Sequence, residues 1–272
     1  MLKETPNDIL DIDEKLKKSP FNEKRIPSNE RISMIQNNVK RAKRRSKKSF
    51  LTAAGVGLVC FIILLTLSYL NEMPGGFADQ RMSQAIGLEG SNKIPLGRTP
   101  EEAIQKLRNY TSMQIIHKEP VDGGTLLFIK RAYQKDGTDL EIDYLRKTWL
   151  GWKWTWGGMF GFGGNIEGVR SVLSYMFMPK LSGINTPFPV IYGDVLDPTV
   201  NRIIIIENGA NPMIYSANLA KSQTGHTIWF AYLPTSLTVP YEIRALNVIG
   251  DIVVSKTITE PNDSGLIQLP IK

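Results

Sequence analysis

The sequence predicts one membrane-crossing helix, then an α+β domain built as a helix on an antiparallel meander, then a C-terminal all-β sandwich. Three observations predict this. Leu51–Leu70 is a run of uncharged, mostly apolar residues directly behind the basic run Lys40–Lys48. A strong helix start at Thr99-Pro100-Glu101-Glu102 is followed by alternating segments joined by glycine turns. From Val190 onward short alternating segments recur between proline, glycine and asparagine turns. The implied division is a cytoplasmic basic segment over 1–49, a transmembrane helix over 50–70 and a juxtamembrane linker over 71–98. The α+β domain then occupies 99–182 and the sandwich 183–272.

The span comes first. Twenty helical residues at 1.5 Å each cover about 30 Å, the thickness of a bilayer's hydrocarbon core. Thr52, Thr66 and Ser68 can bond back to helix carbonyls, and Tyr69 stands where an interfacial aromatic belongs. A cleaved signal peptide does not fit, because the segment before the apolar run is too long and no small-residue cleavage site follows it. Cys60 is the only cysteine, so no disulfide supports the outer part. It reads as a small hydrophobe in lipid. Ala53 and Gly57 make a small-xxx-small pair, a common pattern that only weakly suggests self-association.

Charge orients the span. Residues 1–49 hold 14 Lys and Arg against 7 Asp and Glu, whereas residues 71–272 hold 19 of each. All the excess positive charge therefore lies on the N-terminal side, which the positive-inside rule places in the cytoplasm. Lys40, Arg41, Lys43, Arg44, Arg45, Lys47 and Lys48 abut the apolar run and are expected at anionic headgroups rather than on nucleic acid.

Within the cytoplasmic segment, Ile9, Leu10, Ile12 and Leu16 recur at near-helical spacing. Ser28 caps a second helix with Ile32, Ile35 and Val39 on one face, continuing toward the span. The segment is too short for a core, so a mostly disordered tail is the first reading. The second is a docking element, with Leu16, Phe21, Ile32, Ile35 and Val39 folding onto a partner. The stretch from Asp11 to Arg45, centred on Leu16-Lys17-Lys18-Ser19-Pro20-Phe21, resembles the N-terminus of small Bacillus-type anti-sigma factors and related single-pass envelope proteins. That resemblance implies a cytoplasmic part that sequesters a sigma factor and an outer part that senses the envelope. No His or Cys precedes Cys60, so the zinc-binding pattern of one anti-sigma class is absent.

In the outer part, Pro74, Gly75, Gly76, Gly87, Gly90 and Pro95 make 71–97 read as a flexible linker. Thr99 as N-cap, Pro100 at the first helical position and Glu102 closing a capping box begin a short helix. Its buried side is Ala103, Ile104 and Leu107. Strands follow at Met113–His117 and Thr125–Ile129 around Asp122-Gly123-Gly124. Two more, Asp139–Trp149 and Trp152–Trp156, flank the tight turn Leu150-Gly151.

Four of the five tryptophans lie between Trp149 and Trp156. On a regular strand Trp152, Trp154 and Trp156 share one face. That face is read first as core beneath the helix and second as a surface for sugar rings, peptide or headgroups. Gly157–Asn165 reads as a mobile loop whose Phe160 and Phe162 extend such a surface. It matches neither a phosphate-binding loop nor a dinucleotide fingerprint.

Between Val190 and Ile271 seven strands are expected: Val190–Val195, Asn201–Glu207, Met213–Leu219, Thr227–Tyr232, Tyr241–Asn247, Ile252–Thr257 and Leu266–Ile271. The run Tyr241–Asp251 resembles the penultimate strand and turn of bacterial immunoglobulin-like and fibronectin-like modules, with Tyr241, Ile243 and Ala245 inward and Gly250 in the turn. An immunoglobulin-like sandwich is what this resemblance implies.

No chemistry is legible. His117 and His226 fall in separate predicted domains without a metal-ligand partner at close spacing, and no nucleophile elbow exists. Glu141 and Asp143 share a strand face, which alternation explains as a solvated face. No cofactor, metal or catalytic residue is expected. Two readings stay open: an anti-sigma-like sensor in the cell membrane, or a non-signalling envelope binding or assembly protein held by an uncleaved helix. The partners expected are the lipid bilayer, a cytoplasmic regulatory protein and an envelope component.

Overall fold

The structure, a computed structural model, describes residues 28–90, 92–109, 113–131, 138–162, 169–209 and 212–270; the side chains at 43–51, 131, 138, 162 and 270 lie outside that description. The chain forms two compact units, Met1–Leu65 and Thr66–Lys272.

The described part of the first unit is helical and belongs to α1 (Asn29–Glu72). Ser28 Oγ accepts from the Arg31 N–H, the expected cap. Ile32, Ile35 and Val39 are exposed along this helix, as are Lys40 and Arg41. Leu16, Phe21 and the side chains of Lys43, Arg44, Arg45, Lys47 and Lys48 lie outside the described residues. Residues 52–70 are exposed throughout, although they are the most apolar in the chain. The helix is long and apolar enough to cross a membrane, and none of its apolar window is buried. An exposed surface of this kind is stable against hydrocarbon rather than water.

The second unit is layered. Its elements are the end of α1, α2 (Phe77–Ala85), β1 (Leu96–Gly97), α3 (Pro100–Arg108), β2 (Met113–Val121), β3 (Gly124–Arg131), β4 (Thr138–Thr148) and β5 (Gly151–Phe162). Then come β6 (Val169–Met178), β7 (Val190–Val195), β8 (Arg202–Glu207), β9 (Ile214–Ser216), β10 (Asn218–Lys221), β11 (Thr227–Tyr232), β12 (Tyr241–Leu246), β13 (Ile252–Ile258) and β14 (Ser264–Pro270). They form three sheets, ordered β1-β5-β4-β3-β2, β10-β11-β7-β6-β14 and β13-β12-β8-β9. All pairings between described strands are antiparallel.

Three apolar layers hold the stack together. Ala103 and Ile104 of α3 pack on Leu127, Ile129 and Leu145 of the first sheet. The opposite face of that sheet, with Leu126, Phe128, Leu140 and Ile142, meets Val190, Tyr192, Ile228 and Phe230 of the second. Leu173, Ile191 and Trp229 of the second sheet face Ile203, Ile205, Ile243 and Ala245 of the third. The first and second sheets are thus covered on both faces, which explains their unbroken apolar runs at Leu126–Ile129 and Trp229–Ala231. The expected helix on an antiparallel meander and the all-β sandwich are both present. Thr99 Oγ1 accepts from the Glu102 N–H at 3.2 Å, while the Glu102 carboxylate reaches the Arg98 N–H, one residue before the cap.

The structure departs from expectation in three places. Residues 71–98 are not a flexible linker: they contain α2, with Asp79, Met82 and Ser83 buried, and Ile94 is buried beyond it. Their glycines mark turns, Gly75 at φ 82° and Gly87 at φ 74°. Residues 157–162 are not a loop, because β5 runs through them to Phe162. Gly157 is needed there because a Cβ would lie 2.2 Å from Asp143 Oδ1. Finally, β6 pairs with β7 and β14 in the second sheet, so the boundary at 182/183 fell one strand too late.

Candidate functional site

The β4–β5 hairpin turns at Trp149-Leu150, one residue earlier than expected, because Thr148 pairs with Gly151, and that register sets Arg146 opposite Lys153. Like charges directly opposite on a sheet repel unless each has an acid. Both acids come from the end of the apolar helix and the segment after it. Arg146 binds the Glu72 carboxylate in a fork, Nη1 to Oε1 at 3.0 Å and Nη2 to Oε2 at 2.7 Å. Lys153 Nζ lies 2.5 Å from Asp79 Oδ1, with both side chains buried.

Lys153 also donates to the Glu72 carbonyl at 2.9 Å, so a cation caps the C-terminus of α1 where the helix leaves its last carbonyls unpaired. Asp79 Oδ2 meanwhile accepts from the N–H groups of Gly75 at 2.7 Å and Ile94 at 2.9 Å. One buried carboxylate therefore closes the whole segment on itself. Burial pushes the Glu72 carboxyl up, but the hydrogen bonds and charge of Arg146 outweigh it and hold Glu72 below its ordinary range. The result is a charge clamp between the last turn of α1 and the β4–β5 hairpin.

Beside the clamp opens a cleft of about 350 Å³, lined by Asn71, Arg81, Met82, Ile94, Trp154 and Asn185 among others. That volume falls in the range of small-ligand sites, about 300–1,000 Å³. Trp154 joins the cleft to a second charge cluster whose two carboxylates are fully buried. Its indole N–H donates to Asp143 Oδ1 at 2.6 Å, and the Arg108 guanidinium stands 5.6 Å from its ring centre. Arg108 lies 3.0 Å from Glu141 Oε1 and 3.3 Å from Asp143 Oδ1. Glu141 and Asp143 are thus enclosed, not on a solvated face, because α3 and its terminal arginine cover them. Burial first, and then the neighbouring Glu141 charge, raise the Asp143 pKa to about 8, with Arg108 opposing.

The five aromatic residues expected to form one surface are divided among different places. Tyr144 pairs with Trp156 but Leu145 with Trp154, which leaves Thr155 as a bulge. A bulge reverses the alternation behind it. Trp152 and Trp154 therefore lie on the α3 side and Trp156 on the other, packed against the core between the first two sheets. All three are half-buried. The Trp156 indole N–H donates to the Pro179 carbonyl. Phe160 is buried between the first two sheets, and the Phe162 side chain lies outside the described residues. Trp149, which sequence reasoning left aside, is the exposed member and meets Tyr69.

The clamp was not legible in the sequence: a turn at Leu150-Gly151 would set Arg146 opposite Thr155, and only the observed turn, one residue earlier, sets it opposite Lys153. Nothing in the spacing named Glu72 and Asp79 as their partners. Among the described residues no group of three or more His, Cys, Asp or Glu is arranged to hold a metal ion. No family model, curated protein or solved structure matches this chain.

Proposed function

We propose that this chain is a single-pass membrane protein whose outer β-rich unit binds an envelope component and whose cytoplasmic segment docks a regulatory protein, in the manner of an anti-sigma factor. The observation that carries this reading is the charge clamp. The last turn of the apolar helix is built into the outer unit by Glu72–Arg146 and Asp79–Lys153, and no free linker intervenes. A module that only needed tethering would work as well on a flexible linker; a helix end locked to the sheet that lines a cleft is suited to passing a bound state inward. The N-terminus is cytoplasmic on the charge asymmetry, and Ile32, Ile35 and Val39 offer the docking stripe.

Cross-linking the full chain in membranes and identifying what co-purifies tests this. A specific cytoplasmic protein should be recovered, should be lost on deleting residues 1–39, and should change in amount when Lys153→Ala opens the clamp. Equal recovery without residues 1–39 would overturn the docking role.

The second reading, a non-signalling binding or assembly module, draws on the other end of the molecule. The order of β10-β11-β7-β6 against β13-β12-β8-β9 supports an immunoglobulin-like arrangement. Its turn after β12 presents Val248 and Ile249, 80% and 79% exposed. Asn247 Oδ1 holds that turn by accepting from the N–H groups of Ile249 and Asp251. Unchanged partner recovery from the Lys153→Ala chain favours this reading.

A further inference from the structure

We infer that the tip of the β4–β5 hairpin is a second membrane contact, with the Trp149 side chain seated in the headgroup layer beside the emerging helix. The inference rests on the membrane reading above. Tyr69 stands at the outer end of the apolar stretch, where the hydrocarbon gives way to headgroups. Trp149 lies against it, edge to face, with ring centres 6.5 Å apart. The headgroup layer is about 5–8 Å deep on each side of the core. A ring in contact with an interfacial tyrosine therefore falls inside that layer or at its edge.

The exposure pattern agrees. Trp149 is 57% exposed, against half-burial or full burial for the other four tryptophans. Leu70 and Phe77, which flank the same helix end, are exposed as well. On the hairpin Lys147 is exposed two residues before Trp149, with its ammonium 6.0 Å from the Trp152 ring, and a basic side chain at this rim suits an anionic headgroup layer. The occupant of this rim is thus the lipid surface itself, continuous with the lipid around residues 52–70. A helix alone leaves the outer unit free to tilt toward or away from the bilayer. A second contact off the helix axis restricts the tilt of the outer unit against the membrane surface.

The test uses the full chain reconstituted in phosphatidylcholine–phosphatidylglycerol vesicles carrying brominated acyl chains. Tryptophan emission should be quenched, more by bromines near the headgroup than by bromines deep in the core. Trp149→Phe should abolish that quenching, and this exposed substitution leaves every buried contact intact. Alkaline extraction of the same vesicles separates the two readings. If the chain stays in the vesicles but wild-type emission is unquenched, or Trp149→Phe is quenched equally, Trp149 faces water and the inference is overturned alone. If alkali releases the chain, the membrane reading fails and takes the inference with it.

Discussion

The Lys153 ammonium and the Asp79 carboxylate meet at 2.5 Å with both side chains removed from solvent, and the same ammonium caps the Glu72 carbonyl. A buried pair of this kind is weak support for net stability, because desolvation offsets most of its attraction. Its value is in geometry. An apolar replacement would fill the space, but it would not cap a helix carbonyl and fix the helix end in one register.

Lys153→Ala strands the Asp79 charge in a buried site, and loss of one partner of a buried pair costs about 3–5 kcal/mol. Thermal denaturation of the full chain in detergent should show that loss. The double variant Asp79→Asn with Lys153→Met should recover most of it, since neither charge is then left alone. Equal losses in the single and double variants would show that the pair is not coupled.

Arg146→Gln removes the fork on Glu72. The Glu72 pKa is lowered in the folded chain, so its contribution is present above the ordinary carboxylate value and fades as pH falls through the lowered one. The wild-type chain should therefore lose stability on acidification, and Arg146→Gln should lose less over the same interval. Melting curves from about pH 6 down to about pH 3, spanning the carboxylate range, check this.

Asp143 shifts in the opposite sense. Its folded pKa of about 8 lies above the ordinary value of 3.8, so the unfolded chain releases the proton first as pH rises. Its contribution to stability is whole at acid pH and declines up to the folded pKa, by at most about 1.4 kcal/mol per pH unit. Asp143→Asn keeps the acceptor for the Trp154 N–H and cannot ionise. It should flatten the decline between pH 5 and pH 8, a window inside the cited pKa values. An unchanged slope would place the retained proton elsewhere.

Gly157→Ala should be among the most damaging single-methyl changes. The added Cβ would meet Asp143 Oδ1 at 2.2 Å and the Ile142 carbonyl at 2.4 Å, and neither can withdraw from a paired strand. Gly209→Ala, where nothing lies within 4 Å, is the matched control. A loss of several kcal/mol against a change of less than about 0.5 kcal/mol is expected.

Replacing Lys40, Arg41, Lys43, Arg44 and Arg45 with Gln should weaken or reverse the orientation. Protease protection of tags at either end of the chain in sealed vesicles reads this directly.

The local features were legible because each depends on neighbours in the chain. The span needs only length and the absence of charge, and the Thr99 cap needs only residues up to Glu102. The Tyr241, Ile243 and Ala245 alternation needs only period two, and all three do face the sandwich core. What misled was local as well. Glycine-rich segments at 71–97 and 157–165 read as mobile, although β5 continues to Phe162, Gly157 is there to let a buried carboxylate approach, and Asp79 organises the stretch around Gly75. The facing of the tryptophans turned on a bulge at Thr155, one unpaired residue that composition cannot reveal. The site lies furthest from view. Glu72 meets Arg146 across 74 residues of chain and Asp79 meets Lys153 across the same distance, and only the packing of the helix end and α2 on the β4–β5 hairpin brings them together. Helix, strand and membrane propensities are short-range and are written in sequence order. Which cation finds which acid depends on packing between distant segments, and that was decided by the tertiary fold.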